Sequence, residues 1–201
     1  MLSLESNGGF TLVELLVTMT ILALLLALGL PEMGTYLQNA KLGAATSSLY
    51  SAVQTARTEA IRRNAQAQLV LTDTPVQTAN VANALAPAVG GRNWVVRAAS
   101  GVVFVAVETK AGAEGSSSTG APAIVVAGAA SAPVVFDGTI PFNGFGATAT
   151  GVGYSIDVSN PTAGICASAG GTIRCRRITV SPGGQISACD PAAAAGDSRA
   201  C

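Results

Sequence analysis

The sequence predicts an α+β protein, in which one long N-terminal helix packs against a mostly antiparallel β-sheet head. Residues 10–30 form an apolar run with a single charge, and residues 42–60 carry apolar side chains at three- and four-residue steps. Both patterns are typical of helices. After Asn64 the chain changes to short β-type runs separated by Gly, Pro, Asn and Ser, which indicates strands and turns. The length of 201 residues suits one domain with an N-terminal extension.

The apolar run, residues 10–30, is long enough to be a transmembrane helix. At about 1.5 Å per residue it would measure about 31 Å, which crosses the hydrocarbon core of a bilayer. A cleaved signal peptide fits poorly, because the run is too long, residues 1–9 lack Lys and Arg, and no small-x-small cleavage site follows. Two interpretations remain from the residues alone, a plain membrane anchor and a segment that later leaves the bilayer.

Glu14 is the one charged residue of this run and distinguishes these two interpretations. A charge costs about 2.5–3.5 kcal/mol at the centre of a transmembrane helix and less near its end. A plain anchor gains nothing from a charge in this position. A subunit that leaves the bilayer to pack among copies gains from the charge, because a buried carboxylate can pair with a neighbour's free amine. Glu14 therefore favours the second interpretation.

The segment GFTLVELLV, residues 9–17, resembles the processing motif of type IV pilins and type II secretion pseudopilins. The resemblance implies that residues 1–9 are a leader peptide and that a prepilin peptidase cuts between Gly9 and Phe10. It also implies N-methylation of Phe10 and assembly roles for Glu14 and for Pro31, the helix-breaking proline of the family. The leader departs from the family pattern, since it has an acidic residue and no basic one, and this weakens the orientation signal.

Beyond the apolar run, residues 31–64 are predicted to continue the helix in amphipathic form. Pro31 should kink or locally melt it, because proline lacks the backbone donor and clashes with the preceding turn. The predicted apolar stripe consists of Leu42, Ala45, Leu49, Ala52, Val53, Ala56 and Ala60. Such a stripe is expected to lie against the sheet of the head.

Residues 65–201 are predicted to form a globular, β-rich head whose C-terminal region is closed by disulfides. Residues 73–92 and 110–133 read as loops. The predicted strands are Gln68–Leu71, Trp94–Ala98, Val102–Val107, Ile124–Val126, Val134–Phe136, Tyr154–Val158, Ile173–Val180 and Gln185–Ala188. Strands this short need the helix stripe as a cover to fold stably.

All four cysteines lie between residues 166 and 201. An even number behind an export segment indicates disulfides in an oxidising compartment. The spacing lacks any Cys-x2-Cys pair, which disfavours a zinc site. Three connectivities are possible, and the favoured pairs are Cys166–Cys175 and Cys189–Cys201, because each closes a short local loop.

No catalytic constellation is found, so an enzyme is not expected. The chain has no histidine, which removes the commonest general base and metal ligand. Asp137, Asp157 and Asp190 are too scattered in sequence to argue for a carboxylate pair, and no glycine-rich stretch opens a helix as a phosphate loop would. We expect no metal and no other cofactor.

Parts of the head resemble the FimT/FimU minor pilins and the GspH-type minor pseudopilins. These parts are residues 56–65, the strand Asn93–Val96, Phe136 with Gly138, and the closing hairpin of residues 174–189. The resemblance implies a minor pilin, anchored in the inner membrane with its head in the periplasm, that joins a pilus or pseudopilus near the tip. Its partners would be major and minor pilins, the prepilin peptidase and the inner-membrane assembly platform. The alternative within the class is a minor pseudopilin of a type II secretion system.

Nucleic acid is a further partner to consider, because some FimT-type proteins bind DNA through a Gly-Arg-x-Arg motif. Here that place holds Gly184–Ser187, without arginine. Arg174, Arg176 and Arg177 lie just upstream and could contact phosphates in a salt-dependent way. The alternative is that these are solvent-facing strand arginines that discourage edge pairing. The zero net charge provides no general attraction to DNA.

Overall fold

The computed structural model describes residues 10–74, 76, 85–91, 93–110 and 125–201. For residues 28–32 and 125 it describes the backbone and not the side chain. The chain divides into two compact units, Met1–Leu37 and Gln38–Cys201. The predicted leader with Gly9 lies outside the described residues, as do half of the predicted loop 73–92 and most of the predicted loop 110–133.

One helix, α1, extends from Leu12 to Arg63. Its backbone is helical through Pro31, so the local melting considered for this position is wrong. Leu, Ala and other good helix formers on both sides sustain the helix despite the missing donor. Within the part of the chain that is described, no helix combines the length and apolar character needed to cross a membrane. The transmembrane assignment of residues 10–30 stays a prediction from the sequence.

The head contains two four-stranded antiparallel sheets, where the sequence predicted one. Sheet A has the strand order β3-β2-β1-β5 and sheet B the order β4-β6-β7-β8. The strands are β1 Ala67–Thr72, β2 Asn93–Ser100, β3 Val103–Lys110, β4 Val125–Ala130, β5 Thr139–Phe142, β6 Tyr154–Ser159, β7 Arg176–Val180 and β8 Ile186–Cys189. The shift from sheet A to sheet B occurs between β3 and β4, and β5 returns to sheet A beside β1.

The core of the head lies between the stripe of α1 and the inner faces of both sheets. Of the predicted stripe, Ala45 is partly buried and the other six residues are at most 2 % exposed. β1 is buried along its whole length, and β6 alternates between buried and half-buried residues. The alternation shows that one face of sheet B packs on the core and the other faces outward.

Two strand predictions are wrong. Val134–Phe136 is not a strand, because the Phe136 ring packs over Gly128 of β4 and the segment pairs with no described strand. The strand predicted for Ile173–Val180 begins only at Arg176, because Ile173 pairs instead with Cys166 in an isolated bridge. β5, with Pro141 inside it, was missed.

Candidate assembly sites

The first candidate site is the N-terminal segment, residues 10–27. Every residue in it is exposed, with Phe10 at 82 %. An apolar helix without a covering surface indicates a site that lipid or another protein chain covers. Two of the three threonines of the segment satisfy their hydroxyls locally, since Thr18 Oγ1 donates to Leu15 O and Thr20 Oγ1 to Val17 O. Glu14 is the one charged side chain of residues 10–27, and it forms no ion pair with the residues that the structure describes.

Glu14 also has a local role that the sequence analysis missed. Thr11 precedes the helix, and its Oγ1 accepts a hydrogen bond of 3.2 Å from the backbone N of Glu14. Thr11-x-x-Glu14 is the sequence pattern of a capping box, which was the available signal. The carboxylate also lies in the first turn, where the helix dipole favours negative charge. Both effects reduce the cost of placing this charge in an apolar segment.

The second candidate site is the arginine-rich end of α1, residues 57–63. Glu59 accepts from Arg62 at 2.7 Å and from Arg63 at 2.8 Å. Hydrogen bonds from these two guanidiniums lower the pKa of Glu59 to about 2. One carboxylate thus pairs with two arginines of the helix end and offsets one of their two charges.

Arg57 fastens the helix to two loops of the head. Its Nε donates to Gly146 O at 3.0 Å, and its side chain is half-buried. Gly184, in the turn between β7 and β8, has φ +81°, and a Cβ at this position would overlap Gly146 O. The helix end, the loop after β5 and the closing hairpin therefore meet at one point, where only glycine fits. No sequence signal identifies this contact, since Arg57 and Gly146 are 89 residues apart.

The third candidate site is the disulfide-closed region at the opposite end of the head. The structure joins Cys166 to Cys175 and Cys189 to Cys201, with Cα–Cα distances of 5.5 and 5.0 Å. These are the two pairs that the sequence favours. Residues near the start of the head portion of α1 hold this region: Asn39 Oδ1 accepts from Arg174 N at 2.8 Å, and Gln38 Oε1 accepts from Asn160 Nδ2 at 2.9 Å.

The three arginines considered for DNA contact are not equivalent. Arg176 forms an ion pair with Asp190 at 2.9 Å, and Arg177 forms a bidentate pair with Asp157 at 2.7 and 3.0 Å. Arg174 is exposed and precedes β7, so only Arg176 and Arg177 belong to the strand. Two of the three charges are offset by carboxylates, which leaves little net attraction for phosphates.

Among the described residues no group of three or more His, Cys, Asp or Glu side chains could hold a metal ion. Asp157 and Asp190 act as partners of arginines. Asp137 Oδ1 accepts from Thr139 N at the start of β5, so this carboxylate orders a turn. The three aspartates thus serve the fold within the described part of the chain.

Comparison with known proteins agrees with this arrangement. Residues 6–30 match the family model of the prokaryotic N-terminal methylation motif, and residues 45–184 match that of the type II transport protein GspH. No match was found among curated protein sequences. A methylation motif ahead of a long helix and a β-rich head defines the class of type IV pilins and pseudopilins. Within that class, the chain belongs to the GspH family of minor subunits. Membership implies assembly with other pilins and processing by a prepilin peptidase.

Two solved structures are similar to this chain, both of the type IV minor pilin FimU from Pseudomonas aeruginosa strain PAO1. The crystal form in space group P21 has a TM-score of 0.47 and 14 % identity, and covers 76 % of this chain and 90 % of that one. The form in space group P65 has a TM-score of 0.45 and 12 % identity, and covers 73 % and 90 %.

Proposed function

We propose that this chain is a minor pilin that initiates or joins a type IV pilus-like filament used for twitching motility, adhesion or DNA uptake. It is made as a precursor, held in the inner membrane by residues 10–30 with its head in the periplasm, cut between Gly9 and Phe10, and methylated on Phe10. Its function is assembly near the filament tip and not catalysis.

The observation that carries this proposal is the exposed apolar segment, residues 10–27, with one carboxylate at its start. The hydroxyls of Thr18 and Thr20 donate to carbonyls of the same helix, so the segment is compatible with lipid. Glu14 lies four residues after Phe10, where a neighbour's free amine can reach it once subunits pack side by side. A carboxylate and an amine withdrawn together from water attract strongly. The segment therefore suits both states, the membrane and the filament core.

Intact-mass analysis of the full chain extracted from its native membranes tests the processing step. The expected mass is that of a chain that begins with N-methylated Phe10. In cells that lack prepilin peptidase, the measured mass should instead be that of the uncut precursor. The mass of a chain that still starts at Met1, measured in cells with an active peptidase, would contradict the proposal. The second test is recovery of the chain in sheared filaments, where it should appear in substoichiometric amount.

A minor pseudopilin of a type II secretion system is the second candidate function, and the GspH family match favours it. Both candidates share processing and assembly, so neither the mass nor the filament test separates them. Deletion of the gene distinguishes the two candidate functions. Loss of surface filaments with normal secretion of exoproteins supports the pilus, and the reverse phenotype supports the secretion system.

A further inference from the structure

Four exposed apolar side chains lie at the end of the head where α1 ends. We refer to Ile61, Val102, Val103 and Phe145 together as the helix-end surface. Val102 is fully exposed, Phe145 is 90 % exposed, and the other two are between 40 and 50 % exposed. Scattered apolar residues on a protein surface are ordinary, but a group of them at one end of a domain indicates an interaction site.

The strand register places these residues at the same end. Ala67, the first residue of β1, pairs with Ala98 on one side and with Phe142 on the other. The β2–β3 turn with Val102 and the loop with Phe145 thus leave sheet A at the end where the chain enters β1 from the helix. Strands β2 and β5 flank β1, so they lie about 10 Å apart at this end.

The loop that carries Phe145 is fixed by several contacts. Asn143 Oδ1 accepts from the backbone N of Phe145 at 3.0 Å and of Ala147 at 3.1 Å, and Arg57 Nε holds Gly146 O. The flanking glycines pack on the helix end: a Cβ on Gly144 would lie 2.7 Å from Asn64 Oδ1. At Gly146 a Cβ would lie 2.6 Å from Ile61 Cδ1. A rigid loop thus presents an aromatic side chain to solvent, where it contributes nothing to the core.

A fixed, exposed aromatic residue is the usual anchor of a protein interface. Aromatic side chains bury much apolar area with few rotatable bonds, and they are enriched among the residues that dominate binding energy. A loop held in place in advance reduces the entropy lost on binding. Phe145 has both properties.

The charges beside this surface indicate the chemistry of its partner. Arg57, Arg62 and Arg63 against Glu59 give the helix end a net charge of +2. Glu59 pairs with Arg62 and Arg63, whereas no ion pair to Arg57 is formed by the residues that the structure describes. A complementary surface would be apolar and would bring a carboxylate toward Arg57.

We infer that the helix-end surface docks a neighbouring subunit of the same superfamily, through an apolar patch with an acidic residue on that subunit. The inference rests on the proposed function, since only a filament subunit has such a neighbour in the assembled state. It adds the residues by which the head recognises the next subunit, apart from the contacts of the N-terminal segment.

Site-specific photo-crosslinking of the full chain in native cells tests this inference. Benzoylphenylalanine replaces Phe145 in one strain and Val135, which is 88 % exposed between β4 and β5, in the control strain. We expect position 145 to cross-link to a polypeptide that begins with an N-methylated pilin N-terminus, identified by mass spectrometry. The yield should exceed that at position 135 about tenfold, the effect of one interface anchor.

Substitutions provide a second measurement that does not depend on the probe. Phe145→Ser should lower recovery of the chain in sheared filaments about tenfold, and Val135→Ser should leave it unchanged. Arg57→Gln removes both the charge and the hydrogen bond to Gly146 O that fixes the loop, so it should lower the cross-linking yield at position 145. Arg174→Gln, at the opposite end of the head, should not lower it. Unchanged fluorescence of Trp94, the single tryptophan, shows that each variant is folded.

The outcomes separate this inference from the proposed function. If the chain is recovered in filaments but position 145 cross-links no more than position 135, or only to proteins without the prepilin motif, the docking surface is wrong and the minor-pilin function stands. If the chain never enters filaments, both fail together.

Discussion

The N-terminal segment and the head obtain their structure in opposite ways. In residues 10–27 every residue is exposed, and each polar contact is made within one turn of the helix. In the head, the stripe of α1 and both sheets form one core from residues far apart in sequence. The segment therefore folds by local rules and needs other molecules to cover it, while the head is complete by itself. Changes in the first should affect assembly, and changes in the second should affect stability.

The largest expected effect is that of Glu14→Ala. The variant should insert and be processed, but its recovery in sheared filaments should fall by about tenfold or more, because an amine buried without its carboxylate partner destabilises the packed state. Thr11→Ala is the matched control. It removes the helix cap at a cost of about 1 kcal/mol and keeps the carboxylate. If both variants assemble equally badly, the capping role explains Glu14 and the pairing role is wrong.

The disulfides provide the next effect, which should be confined to the head. Replacing Cys189 and Cys201 by Ser should lower the free energy of unfolding by about 3 kcal/mol, the loop-entropy contribution of a closure of 12 residues. Urea titration followed by Trp94 fluorescence measures this loss, and cleavage of the chain between Gly9 and Phe10 should be unaffected. Peptide mapping without reductant should show the two pairs directly. Cross-pairing, for example Cys175 with Cys189, would contradict the structure.

Two adjacent glycines test the junction of α1 with the loops of the head. Gly184→Ala should cost about 2 kcal/mol or more of unfolding free energy, because its φ of +81° and the nearby Gly146 O both exclude a Cβ. Gly183→Ala meets nothing within 4 Å and should stay within about 0.5 kcal/mol of the parent. Equal losses at the two positions would show that the Arg57–Gly146–Gly184 contact is not formed.

The smallest expected effect concerns the ion pairs of Glu59. Since its pKa falls from 4.5 to about 2 in the folded chain, its stabilising contribution is fully present above pH 4.5 and disappears as the pH falls toward 2. Glu59→Gln should cost about 1 kcal/mol at neutral pH, because Arg62 is mostly exposed and solvent screens the pair. The difference between parent and variant in urea titrations should vanish near pH 2. A constant difference would mean that packing, and not charge, holds this residue.

The periodic elements of the fold were predictable from sequence, because local pattern determines them. The stripe from Leu42 to Ala60 and the strands around Val96 and Ile156 are formed as predicted. Strand pairing was not predictable, since alternating residues do not specify which strand lies beside which, and one sheet was expected where two exist. β5 was missed because Pro141 argues against a strand. However, β5 is an edge strand of sheet A, and an edge strand tolerates a residue without a backbone donor.

The residues of the candidate sites also differ in whether the sequence could predict them. Phe10 and Glu14 were identified from a contiguous motif. The Arg57–Gly146–Gly184 contact depends on positive φ angles and on a separation of 89 residues, neither of which a sequence pattern reports. The arginines of the closing hairpin could be counted from sequence, but their carboxylate partners Asp157 and Asp190 could be assigned only from the register of sheet B and the C-terminal loop.

The construction of the loop around Phe145 has an evolutionary consequence. Its backbone is held by Asn143, by two flanking glycines and by Arg57, none of which involves the Phe145 side chain. Selection can therefore exchange that one side chain without disturbing the scaffold. Paralogous subunits with a common fold could in this way acquire different neighbours, and the order of subunits in a filament could be encoded by the residue at a single loop tip.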